Sequence, residues 1–139
     1  MSSPDDVAGD LQALAQAVAG AAHRTVVLWG AALQRQVQLN ASGRPGPNAP
    51  TGDYRRSINR HTTRTVGGSR CEVGTNKPQA RRLELGFVGT DSLGRSFDQP
   101  AYPHFAPALT FVSAGFIHAI ERIGIPATAT GVASIGGSA

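Results

Sequence analysis

The chain reads as an α+β fold: a long N-terminal helix, a small antiparallel β-sheet, a short helix and a C-terminal amphipathic helix. Three observations predict it. Apolar or small residues recur at helical spacing from Val7 to Val37. They do so again from Phe105 to Ile123. Between these stretches, Gly67-Gly68 separates two short extended runs, the pattern of a hairpin. With 139 residues there is room for one domain and not for two.

The first helix is predicted over residues 7–39. Its apolar stripe is Val7, Leu11, Leu14, Val18, Ala22, Thr25, Trp29, Leu33 and Val37, in steps of three and four. Ser3 suits the N-cap, Pro4 the first helical position, and Asp5 and Asp6 the positive end of the dipole. A helix of this length, about 50 Å, exceeds the width of a 14 kDa globule, so part of it should project or pack on another chain. A bend or close helix contact is expected near Gly20. Residues 40–53 hold three prolines and three glycines and read as a loop.

A strand is predicted from about Ser57 to Val66, followed by a tight turn at Gly67-Gly68. The run Arg70-Cys71-Glu72-Val73 alternates, which turns Cys71 and Val73 inward. Residues 79–85 suit a short helix with Ala80, Leu83 and Phe87 inward and Arg81, Arg82 and Glu84 outward. Residues 86–102 read as a long irregular segment, a length that is usually functional or held by a partner. The last helix, residues 103–123, carries Phe105, Leu109, Val112, Phe116, Ile120 and Ile123 on one face. Pro107 falls in its first turn, and Gly124 and Pro126 stop it. The domain therefore spans 1–123. Residues 124–139, rich in Gly, Ala, Ser and Thr, form a low-complexity tail expected to be ordered by a partner.

Composition sharpens the expectation. Leu, Ile, Val and Phe number 30, about 22% of the chain, against 21 Ala. The range that signals disorder begins near 20% combined with high net charge, and the net charge here is only +4. The chain should fold with a thin core and complete its burial against partner subunits. Arg outnumbers Lys 12 to 1, and residues 44–82 carry a net +7 while the flanks are acidic. Such a segment faces DNA phosphate, pairs with carboxylates of a neighbour, or stays solvated.

Several chemistries find no support. The four histidines lack metal spacing, and neither HExxH nor GxSxG is present. Gly89–Arg95 imitates a phosphate loop but lacks its Lys and Ser or Thr. A hydrolase built on Ser57 and His61 lacks an orienting acid nearby. The lone Cys71 excludes an internal disulfide. No stretch reaches the ~18 apolar residues of a membrane span, and the N-terminus does not read as a signal peptide. Neither an enzyme nor a cofactor nor a metal is expected.

Four segments carry a resemblance. Pro50-Thr51-Gly52-Asp53-Tyr54-Arg55-Arg56-Ser57-Ile58 resembles the Pro-x-Thr-Gly-x-Leu-Arg-x-Ser-Ile signature of the tail-completion, or head–tail connector, proteins of long-tailed bacteriophages. Val73-Gly74-Thr75-Asn76 is similar to the family's strand end. Pro78 to Gly86, with Leu83, Glu84 and Gly86, is similar to its Pro-Tyr-Ala-x-x-Leu-Glu-Phe-Gly. Pro103-His104-Phe105-Ala106-Pro107-Ala108-Leu109 is similar to its Arg-Pro-Phe-Leu-x-Pro-Ala-Leu. Tyr54 stands for the usual Leu, Gln79 for Tyr, and His104 intervenes before Phe105.

The resemblance implies a structural virion protein of the neck. It implies a homo-oligomeric ring, commonly hexameric, around the DNA channel. Its partners would be a head-closure or connector protein and a tail terminator or tail tube protein, with no membrane. It would reside in the virion neck, and in the host cytoplasm before assembly. The fold-signature residues are Thr51, Gly52, Tyr54, Ser57, Ile58, Gly74, Leu83, Gly86, Pro103, Phe105, Pro107 and Leu109. The candidates for the subunit interface or the DNA channel are Arg55, Arg56, Arg60, Arg64, Arg81, Arg82 and Glu84, with Glu84 expected to meet an Arg of the adjacent subunit. On one strand, Arg56, Arg60 and Arg64 would share a face with Arg55 opposite. The alternative is a stand-alone basic nucleic-acid-binding module, although the basic segment holds only Tyr54 as an aromatic for stacking.

Overall fold

The computed structural model describes residues 3–65, 68–90 and 92–123. The elements run α1 (Pro4–Asn40), α2 (Asp53–Arg56), β1 (Asn59–Thr65), β2 (Gly68–Gly74), α3 (Ala80–Leu85), β3 (Phe87–Thr90), β4 (Ser96–Gln99) and α4 (Phe105–Glu121). The chain is mixed α+β, with a long first helix, a small antiparallel sheet, a short helix and a C-terminal helix, as expected.

α1 starts on a reciprocal cap. The Ser3 hydroxyl accepts from the Asp6 amide at 3.1 Å, and the Asp6 carboxylate accepts from the Ser3 amide at 3.2 Å. At 37 residues the helix is about 55 Å long. α4, with 17 residues, covers less than half of it. The two run antiparallel. Asn40 Nδ2 donates to the His104 carbonyl at 3.2 Å, and a methyl at Gly115 would lie 2.4 Å from the Trp29 ring. Eleven residues separate the contacts on each helix, so α4 ends near the level of His23. There His23 Nδ1 hydrogen-bonds Ser69 of β2 at 2.8 Å, the outermost hydrogen bond from α1 to the hairpin among the described residues.

The stripe on α1 is therefore covered only in part. Trp29 and Leu33 are half-buried and Val37 is buried, but Val7, Leu11 and Leu14 are 46%, 61% and 61% exposed. Periodicity read the face correctly and could not tell how far a partner follows it. The close approach expected at Gly20 occurs at Gly30, where an added Cβ would stand 2.3 Å from Cys71 Sγ.

β1 and β2 form an antiparallel hairpin with Thr62 opposite Cys71 and Arg60 opposite Val73. Residues 69, 71 and 73 turn toward α1, as the alternation of Cys71 and Val73 predicted, and Val73 packs on the core. The opposite face, with His61, Thr63, Arg70 and Glu72, is exposed. Gly68 already pairs with Thr65, so it belongs to β2 rather than to the turn. The strand also begins later than predicted. Gly52, at φ +76°, opens the α2 turn, so Arg55 and Arg56 are helical and Ser57 ends that helix. Arg60 and Arg64 share a strand face, but Arg56 does not join them.

A second correction concerns residues 86–102. They are not irregular. β3 and β4 pair antiparallel from Phe87↔Gln99 to Thr90↔Ser96. The tail at 124–139, expected to be held by a partner, lies outside the described residues. The core is as thin as composition implied. Among the described residues its buried hydrophobics are Val37, Ala41, Tyr54, Ile58, Ala80, Phe105, Ala108, Val112 and Ile120, three of them alanines. On α4, Phe105, Val112 and Ile120 are buried and Leu109 and Phe116 half-buried, as its periodicity predicted; the helix ends at Glu121, so Ile123, also half-buried, follows it.

Candidate functional site

Three distant segments meet at one buried polar centre, and a fourth is tied to it through Ser57. α4 starts at Pro103-His104-Phe105-Ala106-Pro107, which offers no Ser, Thr, Asp or Asn as a cap, and the His104 side chain caps nothing. Glu84 of α3 supplies the acceptors instead. Its Oε2 takes the amides of His104 (2.7 Å) and Phe105 (3.1 Å), and its Oε1 takes the amide of Ala106 (2.9 Å). A carboxylate at a helix N-terminus satisfies orphan donors and opposes the positive end of the dipole.

His104 is fully buried and its two ring nitrogens are engaged. Nδ1 lies 2.9 Å from both the Tyr102 carbonyl and Glu84 Oε2. Both are acceptors, so this geometry assigns the proton to Nδ1. Nε2 then accepts from the Tyr54 hydroxyl at 2.6 Å. Burial alone would raise the Glu84 carboxyl. The hydrogen bonds from His104 and from the α4 amides outweigh it and hold the pKa down to about 2. Burial, and then the nearby Glu84 charge, push the Tyr54 hydroxyl up. Tyr54 thus stays protonated as the donor this arrangement requires.

The remaining signature residues brace the same place. Ser57 Oγ and Thr75 Oγ1 are 2.7 Å apart, and Thr75 accepts from the Lys77 amide at 3.2 Å. Ile58 is fully buried, and its carbonyl takes Gln34 Nε2 at 2.9 Å, tying α1 to the end of α2. Leu83 packs on the core, and its carbonyl accepts from the Tyr102 amide at 2.6 Å. Gly86, at φ +80°, ends α3 with the chain of residues 99–101 pressed against it. Pro107 stands in the first turn of α4, as expected.

Glu84 overturns its expectation. The sequence points it outward, to meet an Arg of a neighbour, yet it is 4% exposed and its oxygens are occupied within the chain. α3 is too short for apolar periodicity to set its inward face, and the amides of α4 set it instead. The signal in the sequence was the missing local cap at residues 103–107, together with a carboxylate upstream. His104 belongs to this centre, Thr75 is tied to it through Ser57, and neither is among the sequence candidates.

The arginines lie around this centre rather than in it. Arg56 pairs with Asp53 at 2.5 Å within α2. Arg55 donates to Ser42 Oγ at 3.1 Å and Arg60 to Gln34 Oε1 at 2.9 Å. Arg82 lies over the Phe87 ring at 3.9 Å. Arg55, Arg60, Arg64, Arg81 and Arg82 make no ion pair with a carboxylate among the described residues. They do not gather on one element. Ser57 is bound to Thr75, and His61 sits on the exposed sheet face, so the structure does not bring that pair together for hydrolysis. Comparisons with protein-family models, curated proteins and solved structures found no match.

An open groove of about 300 Å³ lies between α1, β2 and α4. Its walls are mainly apolar, from Val26, Trp29 and Leu33 on one side and Leu109, Val112 and Phe116 on the other, with Cys71 and Arg70 along β2. Among the described residues no group of three or more His, Cys, Asp or Glu side chains is close enough to hold a metal ion, and no helix is long and apolar enough to cross a membrane.

Proposed function

We propose that this chain is a structural subunit of the neck of a long-tailed bacteriophage, forming a ring that joins the head connector to the tail around the DNA channel. The observation that carries the reading is convergence. The four segments that resemble the tail-completion family are separated in sequence, yet Tyr54, Leu83, Glu84 and Phe105 meet at one buried centre, and Thr75 is tied to it through Ser57, whose hydroxyl also bonds the Tyr54 carbonyl. A chance set of short matches has no reason to share one place in the fold. The bare stripe at Val7, Leu11 and Leu14 adds a reason for assembly, since contiguous apolar surface on a folded chain marks a contact site.

In this reading the polar centre is a clamp, and the exposed arginines meet carboxylates of adjacent subunits. Native mass measurement of the purified protein, alone and with its neck partners, is expected to give a closed homo-oligomer. A monomer under both conditions overturns the proposal.

One observation favours a second reading, a basic nucleic-acid-binding module. Five of the candidate arginines, all exposed or half-exposed, lack carboxylate partners among the described residues, which leaves their charge available to phosphate. That reading expects a DNA mobility shift that weakens steeply with salt for the unassembled chain. No shift at low salt removes it.

A further inference from the structure

The arm of α1 and the groove beside it are complementary, and one chain cannot bring its own together. Residues 5–17 are exposed throughout and overhang the end of α4. Val7, Leu11 and Leu14 stand at i, i+4 and i+7, the spacing with which a helix anchors in an apolar groove. Their stripe continues the face that α4 and β2 cover further along, so it is apolar surface of the same kind left without a lid.

Charge matches as well as shape. The arm carries Asp5, Asp6 and Asp10 and holds no basic residue before Arg24. The hairpin that walls the groove carries Arg60 and Arg64 on the strand face turned toward α1, without a carboxylate partner among the described residues, while Arg70 and Glu72 pair with each other on the opposite face. Opposite fields on two such surfaces steer and orient their encounter. Leu14 is sixteen residues from Gly30 at the floor of the groove, about 24 Å along a continuous helix, so the arm cannot fold into its own groove.

We propose that the N-terminal arm of α1 seats its Val7–Leu11–Leu14 stripe in the α1–β2–α4 groove of a second copy of this chain. Arm and groove are different surfaces, so the contact is head-to-tail. It leaves one free arm and one free groove until rotation closes the set. The inference deepens the ring reading by naming the contact that builds it.

Cys71 is the chain's one cysteine and borders the groove, which makes the test direct. In the full-length protein, Leu14→Cys is expected to form an intermolecular disulfide with Cys71 under mild oxidation. Gln16→Cys, on the opposite face of the arm, is expected to stay reduced. Mixing Leu14→Cys/Cys71→Ser with wild type is expected to give only heterodimers of the two chains, since Leu14 cannot reach Cys71 within one chain. Leu11→Asp is expected to lower the oligomer mass while the circular dichroism of the folded chain is unchanged.

Equal crosslinking of Leu14→Cys and Gln16→Cys, or none of either, overturns the inference. A native mass that stays oligomeric without the crosslink leaves the ring reading intact and assigns the stripe to another cover, such as residues 124–139. A crosslink in an oligomer that does not close supports the contact and tells against the ring.

Discussion

Glu84→Gln is expected to cost about 3 kcal/mol of folding stability at pH 7 and to remove most of an acid transition that the wild-type chain shows. The carboxylate receives three backbone amides and the His104 ring. A carboxamide must aim its NH2 at one or more of these donors, leaving buried N–H groups without acceptors at the head of α4. The pH dependence follows from the depressed pKa. The group titrates near 4.5 when exposed and near 2 in the fold, so its stabilisation is fully present above about pH 5 and is lost as pH falls toward 2. The shift corresponds to about 3 kcal/mol. Urea unfolding of both proteins between pH 7 and pH 2 checks this. The two curves should converge as the acid limit is approached. Equal losses in both proteins across that range would show that Glu84 is not the group responsible.

The second large effect is expected at Ile58. It is fully buried, held between α1 and the end of α2, in a core whose buried hydrophobics include three alanines. Ile58→Ala should cost about 3–4 kcal/mol, from lost transfer energy and the cavity left behind. For a domain of this size that is a fall of roughly 10 °C or more in melting temperature. Ile58→Val should cost about 1 kcal/mol. Thermal unfolding of the two variants checks the grading. A loss below about 1 kcal/mol for the alanine variant would mean that the site collapses around the change and that the core is not organised on Ile58.

The elements that long periodicity describes were legible in the sequence. The C-terminal helix pattern runs over six apolar positions from Phe105 to Ile123, and the structure buries or half-buries all six, the last of them just past the end of α4. α1 was legible as a helix, but Val7, Leu11 and Leu14 carry the same pattern as Leu33 and Val37 while lying beyond the reach of α4. A stripe records which face is apolar and nothing about the length of what covers it. Residues 86–102 concealed a hairpin because Val88 is exposed and Gly89 and Gly94 interrupt any alternation. Glu84 was misplaced for a different reason. Its partners are backbone amides, which leave no trace in residue identity except the absence of a capping side chain near residue 104. The strand expected from Ser57 starts at Asn59 because Gly52, at positive φ, opens a helical turn that carries Arg55 and Arg56 and ends at Ser57, a local event that strand propensity does not detect.

The tie between α3 and the start of α4 has a consequence for variation along the chain. The Tyr102 amide bonds the Leu83 carbonyl, and Glu84 grips residues 104–106, so both feet of the β3–β4 excursion are pinned by groups outside its tip. Closure of the excursion is settled at its base. Lengthening a tip adds only about 0.6 kcal/mol of closure cost per doubling, and Val88 in β3 and Leu93 at the tip are both exposed. The excursion is thus a cassette: its sequence is free to diverge between related chains at a rate the clamp beneath it cannot share.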